Sequence, residues 1–308
     1  MRVALVTGAG KRRVGFHVAE AFARRGWAVA FVGEFEGLAA WLIERAGREV
    51  LAPADGLACG LDPARWSAAI VDSYTLGAPE VCVLAGQIPV VTLGEATRCE
   101  EAGILIDYHL DRAGQVPTSR LLPGPAYAPI DPAFAGAGRA GREVEAVLIT
   151  VGGSERALRH VEALQALVAR AFPEAEQIVP RGGPGAAPVR LIELVGRVDL
   201  AVTAAGLTAY ELACAGVPQV AVAIVENQRR VAEGLRRTGL SDCVDVYRGE
   251  ALEALTPALE RLADPGERQA RGRLGRSIFD GGGADRAAGA LLVRWTPAGS
   301  GAATIRSP

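Results

Sequence analysis

Lysine is nearly missing from this chain of 308 residues: Lys11 is the only one, and Met1 is the only methionine. Lys and Arg together number 33 against 35 Asp and Glu, a formal net charge of −2. Such a balance leaves no basic footprint for nucleic acid or an anionic membrane surface. The five cysteines (Cys59, Cys82, Cys99, Cys214 and Cys243) are odd in number and lack paired metal spacing, so buried free thiols in a reducing compartment are expected. No apolar run reaches the ~18 residues of a membrane span, and a strand stands where a secretory signal would begin. A soluble cytoplasmic protein without stable membrane insertion follows as the expectation. Asp-x-Asp is absent, so neither a metal nor another cofactor is expected.

What the chain does have is apolar mass. Half of it is hydrophobic, and 308 residues make about two domains at ~150 residues each. Short buried-strand runs alternate with helical periods. Strands are expected at Arg2 to Thr7, Trp27 to Val32, Ala68 to Val71, Pro89 to Leu93 and, last in the first half, Ile104 to Ile106. Helices are expected at Phe16 to Arg25, Phe35 to Ala46 and Pro79 to Gly86. Such alternation implies right-handed crossovers and a parallel sheet. Proline, glycine and alanine then dominate Leu122 to Gly141, and a second series begins near Glu145, with one long helix from Ser154 to Phe172. The expected division is 1–128, a linker at 129–144, a second domain at 145–294 and a disordered tail at 295–308. Two α/β halves would then face each other across a crevice at the carboxyl ends of their strands.

Asp199 to Gln228 is the most informative stretch: strand, glycine turn, helix at Leu207 to Ala215, strand at Gln219 to Val225. A glycine turn that opens a helix presents unpaired N–H groups and the positive end of a dipole, which suits a phosphate. Gly206 and Thr208 are the candidates there. Glu211, one turn further in, is placed to accept hydrogen bonds from sugar hydroxyls, and Asn227 and Gln228 to reach the sugar or a second phosphate. Gly152, Gly153 and Ser154 form another loop of the same kind. An ordinary βαβ unit with tight turns explains either loop alone, and less readily both in one half.

The run Ala204 to Pro218 resembles the nucleotide-sugar half of GT-B glycosyltransferases of the MurG type. Its continuation into Glu226-Asn227-Gln228 is similar to the PseG/SpsG family, UDP-sugar hydrolases of pseudaminic acid biosynthesis and their spore-coat-polysaccharide relatives. Further likeness lies in Val71 to Tyr74, in Gly124 to Ile130 with Pro132 and Phe134, in Leu148 to Ser154, and in Asp280 to Arg286. The family has a second glycine and a serine where this chain has Ala205 and Leu207. Its first loop also carries an acidic residue and one more turn position than Val14-Gly15-Phe16-His17 offers. The resemblance implies a GT-B-like α/β fold of two Rossmann-like parallel-sheet domains facing across a cleft, with a UDP-sugar as substrate and no nucleic acid partner. Oligomeric state stays open.

His17 follows Gly15 at a helix start, where the dipole disfavours the imidazolium and keeps a neutral base. In the resembling family a histidine at this place is taken to activate the hydrolytic water. A packed helix-start histidine is the alternative. Asp72 and Tyr74 end a strand at the crevice and are placed to orient His17 or hold a sugar hydroxyl, unless Asp72 only caps a turn. His109 is a further candidate, and His160 is expected on the surface. The same first loop also looks like the start of a short-chain dehydrogenase, but with Lys11 alone no Tyr-x-x-x-Lys exists. The PseG/SpsG resemblance implies hydrolysis of a UDP-sugar as the expected reaction. Its alternatives are transfer to a glycan or metabolite acceptor, and nucleotide-sugar binding without catalysis.

Overall fold

The computed structural model describes residues 1–6, 14–52, 61–73, 76–94, 103–139, 141, 143–152, 154–180 and 189–295. Tyr74, Gly153, the loop at 7–13 and the tail from 296 lie outside them.

Apolar runs of four or five residues become the central strands, whose residues are buried on both faces. In the first half the strands are β1 (Arg2–Val6), β2 (Ala28–Val32), β3 (Glu49–Leu51), β4 (Ala68–Val71), β5 (Val90–Leu93), β6 (Gly103–Asp107) and β7 (Leu121–Pro123). Between them run α1 (Val14–Ala23), α2 (Gly37–Arg45) and α3 (Ala78–Ala85). All pairs are parallel, in the order β3-β2-β1-β4-β5-β6-β7. β6 is thus not the last strand: Leu121–Pro123 pairs with Leu105–Asp107. Proline is tolerated there because β7 is an edge strand.

The second half has β8 (Ala146–Thr150), β9 (Glu176–Ile178), β10 (Leu200–Ala204), β11 (Gln219–Ala223) and β12 (Ser241–Asp245), again parallel, in the order β12-β11-β10-β8-β9. Its helices are α4 (Glu155–Leu158), α5 (Val161–Ala171), α6 (Leu207–Ala215), α7 (Arg229–Thr238), α8 (Thr256–Arg261) and α9 (Pro265–Ile278). The helix expected from Ser154 to Phe172 is therefore two helices with a turn at Arg159 and His160, and His160 is half-buried. α6 has the bounds expected of it, closed by Gly216 in the left-handed conformation (φ 82°).

The last helix, α10 (Gly283–Trp295), belongs by sequence to the second half but lies on the first. Trp295 stacks on Phe22 at 5.5 Å, and Asp285 pairs with Arg24 and Arg25 of the α1 end. The turn Asp280-Gly281-Gly282-Gly283 makes this return possible. Asp280 accepts from the Gly282 N–H at 2.9 Å and from both Arg286 amines. A Cβ on Gly283 would stand 2.7 Å from the Ala128 nitrogen, so the two passages of chain between the halves touch there. One apolar cluster accordingly runs through both halves, from Val3 and Phe22 to Tyr210 and Leu291.

Cys82 is disulfide-bonded, against the expectation of free thiols. Cys214 and Cys243 are free and buried, and burial pushes both thiols up to about 12. Among the described residues no helix is long and apolar enough to cross a membrane, and no cluster of acidic, His and Cys side chains is placed to hold a metal.

Candidate functional site

Strand order decides where a ligand can enter. In each sheet the connections turn outward in opposite directions from one pair of neighbouring strands, and loops leaving the carboxyl ends of that pair part to open a crevice. The pair is β1 and β4 in the first half, and β8 and β10 in the second. Register puts Val6 beside Val71 and Thr150 beside Thr203, so the residues that follow them are neighbours. Most of the described residues singled out from the sequence fall at these two points, whereas His109 follows β6, and Asn227 and Gln228 follow β11.

At the first point, Gly15, in the first turn of α1, donates its N–H to Asp72 Oδ2 at 2.8 Å. A side chain on Gly15 would strike Leu5 and approach the Asp72 Cβ at 3.2 Å, so only glycine allows this contact. Asp72, fully buried, thereby anchors the helix start that carries His17 in its first turn. His17 is itself buried, with its ring edge-on to Phe16 at 5.4 Å.

At the second point, Gly152 (φ 87°) is exposed after β8, and the Ser154 hydroxyl accepts from the Ala157 N–H at 3.3 Å, capping α4. After β10, Gly206 stands half-buried at the start of α6, which has no side-chain cap. Among the described residues no side chain caps its leading amides, and Thr208 stands beside them. Glu211 is completely buried one turn in. After β11, Asn227 is exposed, whereas Gln228 turns inward: its carboxamide oxygen accepts from the Ile224 and Val225 N–H groups at 2.8 and 3.4 Å. Asn227 is therefore the exposed member of that pair.

The carboxyl ends of the two sheets meet. Arg230, in the first turn of α7, donates to Asp107 at the end of β6 (3.0 Å) and to Asp111 (2.8 Å). Gly234 of the same helix admits Leu110 so closely that a Cβ would stand 2.9 Å from the Leu110 Cβ. Beside them the Tyr108 ring meets Tyr210 of α6 at 6.4 Å, and Tyr210 stacks on Phe279 at 4.6 Å.

Asp107 gathers this corner. Its side chain is fully buried and bonded to His109 Nδ1 (2.7 Å), Arg112 Nε (3.0 Å) and Arg230. Burial raises its pKa, but hydrogen bonds and charge from His109 and Arg230 outweigh that and hold the carboxyl well below the usual carboxylate range. An ionised carboxylate only accepts, so His109 Nδ1 is the donor in this pair. Asp107, two residues before His109 at the strand end, was not among the candidate site residues. Its signal was present, because residues two apart at a strand end lie on one face. Arg230 gave no such signal.

No protein-family model matches the sequence, and neither does any curated protein sequence. Solved structures do match in shape. A glycotransferase of kitacinnamycin superposes with a TM-score of 0.66 at 15% identity, over 96% of this chain and 99% of its own. MurG of Acinetobacter baumannii gives 0.60 at 16%, over 95% and 100%. A putative UDP-N-acetylglucosamine 2-epimerase from Listeria monocytogenes gives 0.63 at 13%, over 96% and 97%. The fold is GT-B. At such identities the likeness extends to architecture, and GT-B architecture serves both transferases and a putative epimerase among these neighbours.

Proposed function

We propose that the chain is a GT-B glycosyltransferase that takes its sugar from a nucleotide donor, UDP-linked in the first instance, and passes it to a hydroxyl of a glycan or metabolite. The observation that carries this reading is the coincidence of both strand-order switch points with the candidate residues: an uncapped helix start behind a glycine in one half, and a buried, anchored histidine in the other.

In this scheme the diphosphate lies against Gly152, the Ser154 loop, Gly206 and the amides of α6, where fixed N–H dipoles stabilise the departing charge. Glu211 and Asn227 serve the ribose and the sugar. His17, held by the Asp72-anchored helix start, takes the proton from the acceptor hydroxyl. The freed oxygen attacks the anomeric carbon, the bond from that carbon to the phosphate oxygen breaks, and its electron pair leaves with the nucleoside diphosphate. His109, polarised by Asp107, is the alternative base.

Hydrolysis in the manner of the PseG/SpsG family is the second reading, favoured by the run Leu148 to Ser154 and the Asp280 to Arg286 turn. It needs the same groups with water in place of the acceptor. Incubating the protein with UDP- and dTDP-sugars, with and without hydroxyl acceptors, separates the two. Nucleoside diphosphate released only when an acceptor is present supports transfer, and release at the same rate without one refutes it.

A further inference from the structure

At the amino ends of β10 and β11, on the side of the second sheet away from the crevice, lies a recess of about 220 Å³. Arg139, Arg268, Arg273 and Arg276 line it, with Asp199 as its one carboxylate. Asp199 is already committed. It is fully buried, takes Arg139 through both oxygens, and accepts the Glu145 and Ala146 N–H groups at 2.9 and 3.0 Å. Arg268 is nearly buried and donates to the carbonyls of Leu262 (2.7 Å), Ala263 (2.8 Å) and Gly141 (3.3 Å). Burial pushes its guanidinium down from the ordinary value, with the charges of Asp199 and Asp264 partly offsetting.

Arg273 and Arg276 differ from these. Among the described residues neither makes an ion pair or a hydrogen bond, and both are exposed at the mouth of the recess. They lie three apart on α9, and so on one face of it. Glycine forms the floor beneath them. Gly216 and Gly272 carry no side chain, and a Cβ on Gly216 would collide with the Arg276 guanidinium. The wall therefore gathers four cations around a single, spent anion and leaves two guanidinium forks unbonded.

We infer that this recess is a second ligand site, which takes a phosphate-class oxyanion between Arg273 and Arg276 with Arg268 behind them. Guanidinium forks match phosphate oxygens in pairs, and the glycine floor lets a tetrahedral anion approach the backbone. The site is distinct from the crevice, because it opens at the opposite end of the strands. It lies where Arg139 and Gly141 of the linker meet α9, which leads into the return passage at Phe279 to Gly283. An anion bound there ties both connections between the halves to one wall.

The test is titration of the full chain with inorganic phosphate and with pyrophosphate at constant ionic strength, followed by thermal unfolding and isothermal calorimetry. Saturable binding of either anion is expected, weakened at least tenfold in R273Q/R276Q and largely restored in R273K/R276K. Saturating UDP should leave it unchanged, and the glutamine variant should keep its UDP response. Absence of saturable binding by both anions overturns the inference. So does binding that survives R273Q/R276Q, or binding that UDP displaces, since the anion then sits in the crevice.

Discussion

Replacing Gly206 by valine separates a glycine kept for a ligand from one kept for the fold. Gly206 has φ −145° and ψ −160°, an extended conformation open to any residue, and apart from its chain neighbours no heavy atom lies within 4 Å of where a Cβ would stand. Losing glycine as the helix cap costs up to about 1 kcal/mol, and the stiffer unfolded chain returns about as much, so stability should hardly change. The branched side chain would instead fill the space over the first amides of α6. If a diphosphate occupies it, loss of one or two charge-assisted hydrogen bonds amounts to about 2–4 kcal/mol, roughly a 30- to 700-fold rise in Kd. Denaturant unfolding would check the first expectation and calorimetry with UDP the second. Unchanged UDP affinity in a folded Gly206→Val protein would refute the placement of the donor at α6.

Gly275→Ala is the counterpart: its Cβ would run into the Ala213 backbone of α6, and overpacking of this kind should cost about 1–3 kcal/mol in denaturant unfolding, with UDP affinity per folded molecule retained. His17→Ala should lower turnover by roughly 100- to 10,000-fold while donor binding persists, and an unchanged kcat would transfer the role of base to His109. Asp107→Asn leaves the His109 ring and the Arg112 and Arg230 guanidinium groups without their shared anion. Breaking such a buried set costs about 3 kcal/mol, read as a lowered denaturation midpoint. The Asp107 carboxyl titrates below its unfolded value of ~3.9, so its stabilisation is complete above that pH and is lost as pH falls further. Unfolding curves between pH 3 and 6 should therefore show a smaller acid loss in the asparagine variant than in the parent.

Local pattern alone determined the alternation of strand and helix, the parallel sheets and the bounds of α6. Burial on both faces, helical period and a left-handed glycine each act within a few residues. The glycines after β8 and β10 were legible for the same reason, since each stands between an apolar run and a helical period. Tertiary structure decided the rest. Which strands neighbour one another is invisible in any one strand, yet that order puts His17 and Asp72 at one switch point and Gly152 and Gly206 at the other. The pairing of Asp107 with Arg230 spans 123 residues, and the return of α10 onto α1 spans more than twice that. Contacts so distant in sequence leave no periodic trace, because what selects them is the fit of two folded surfaces. The arginine recess belongs with them: its residues come from a linker, a strand start and one face of α9, and only the packed chain makes them neighbours.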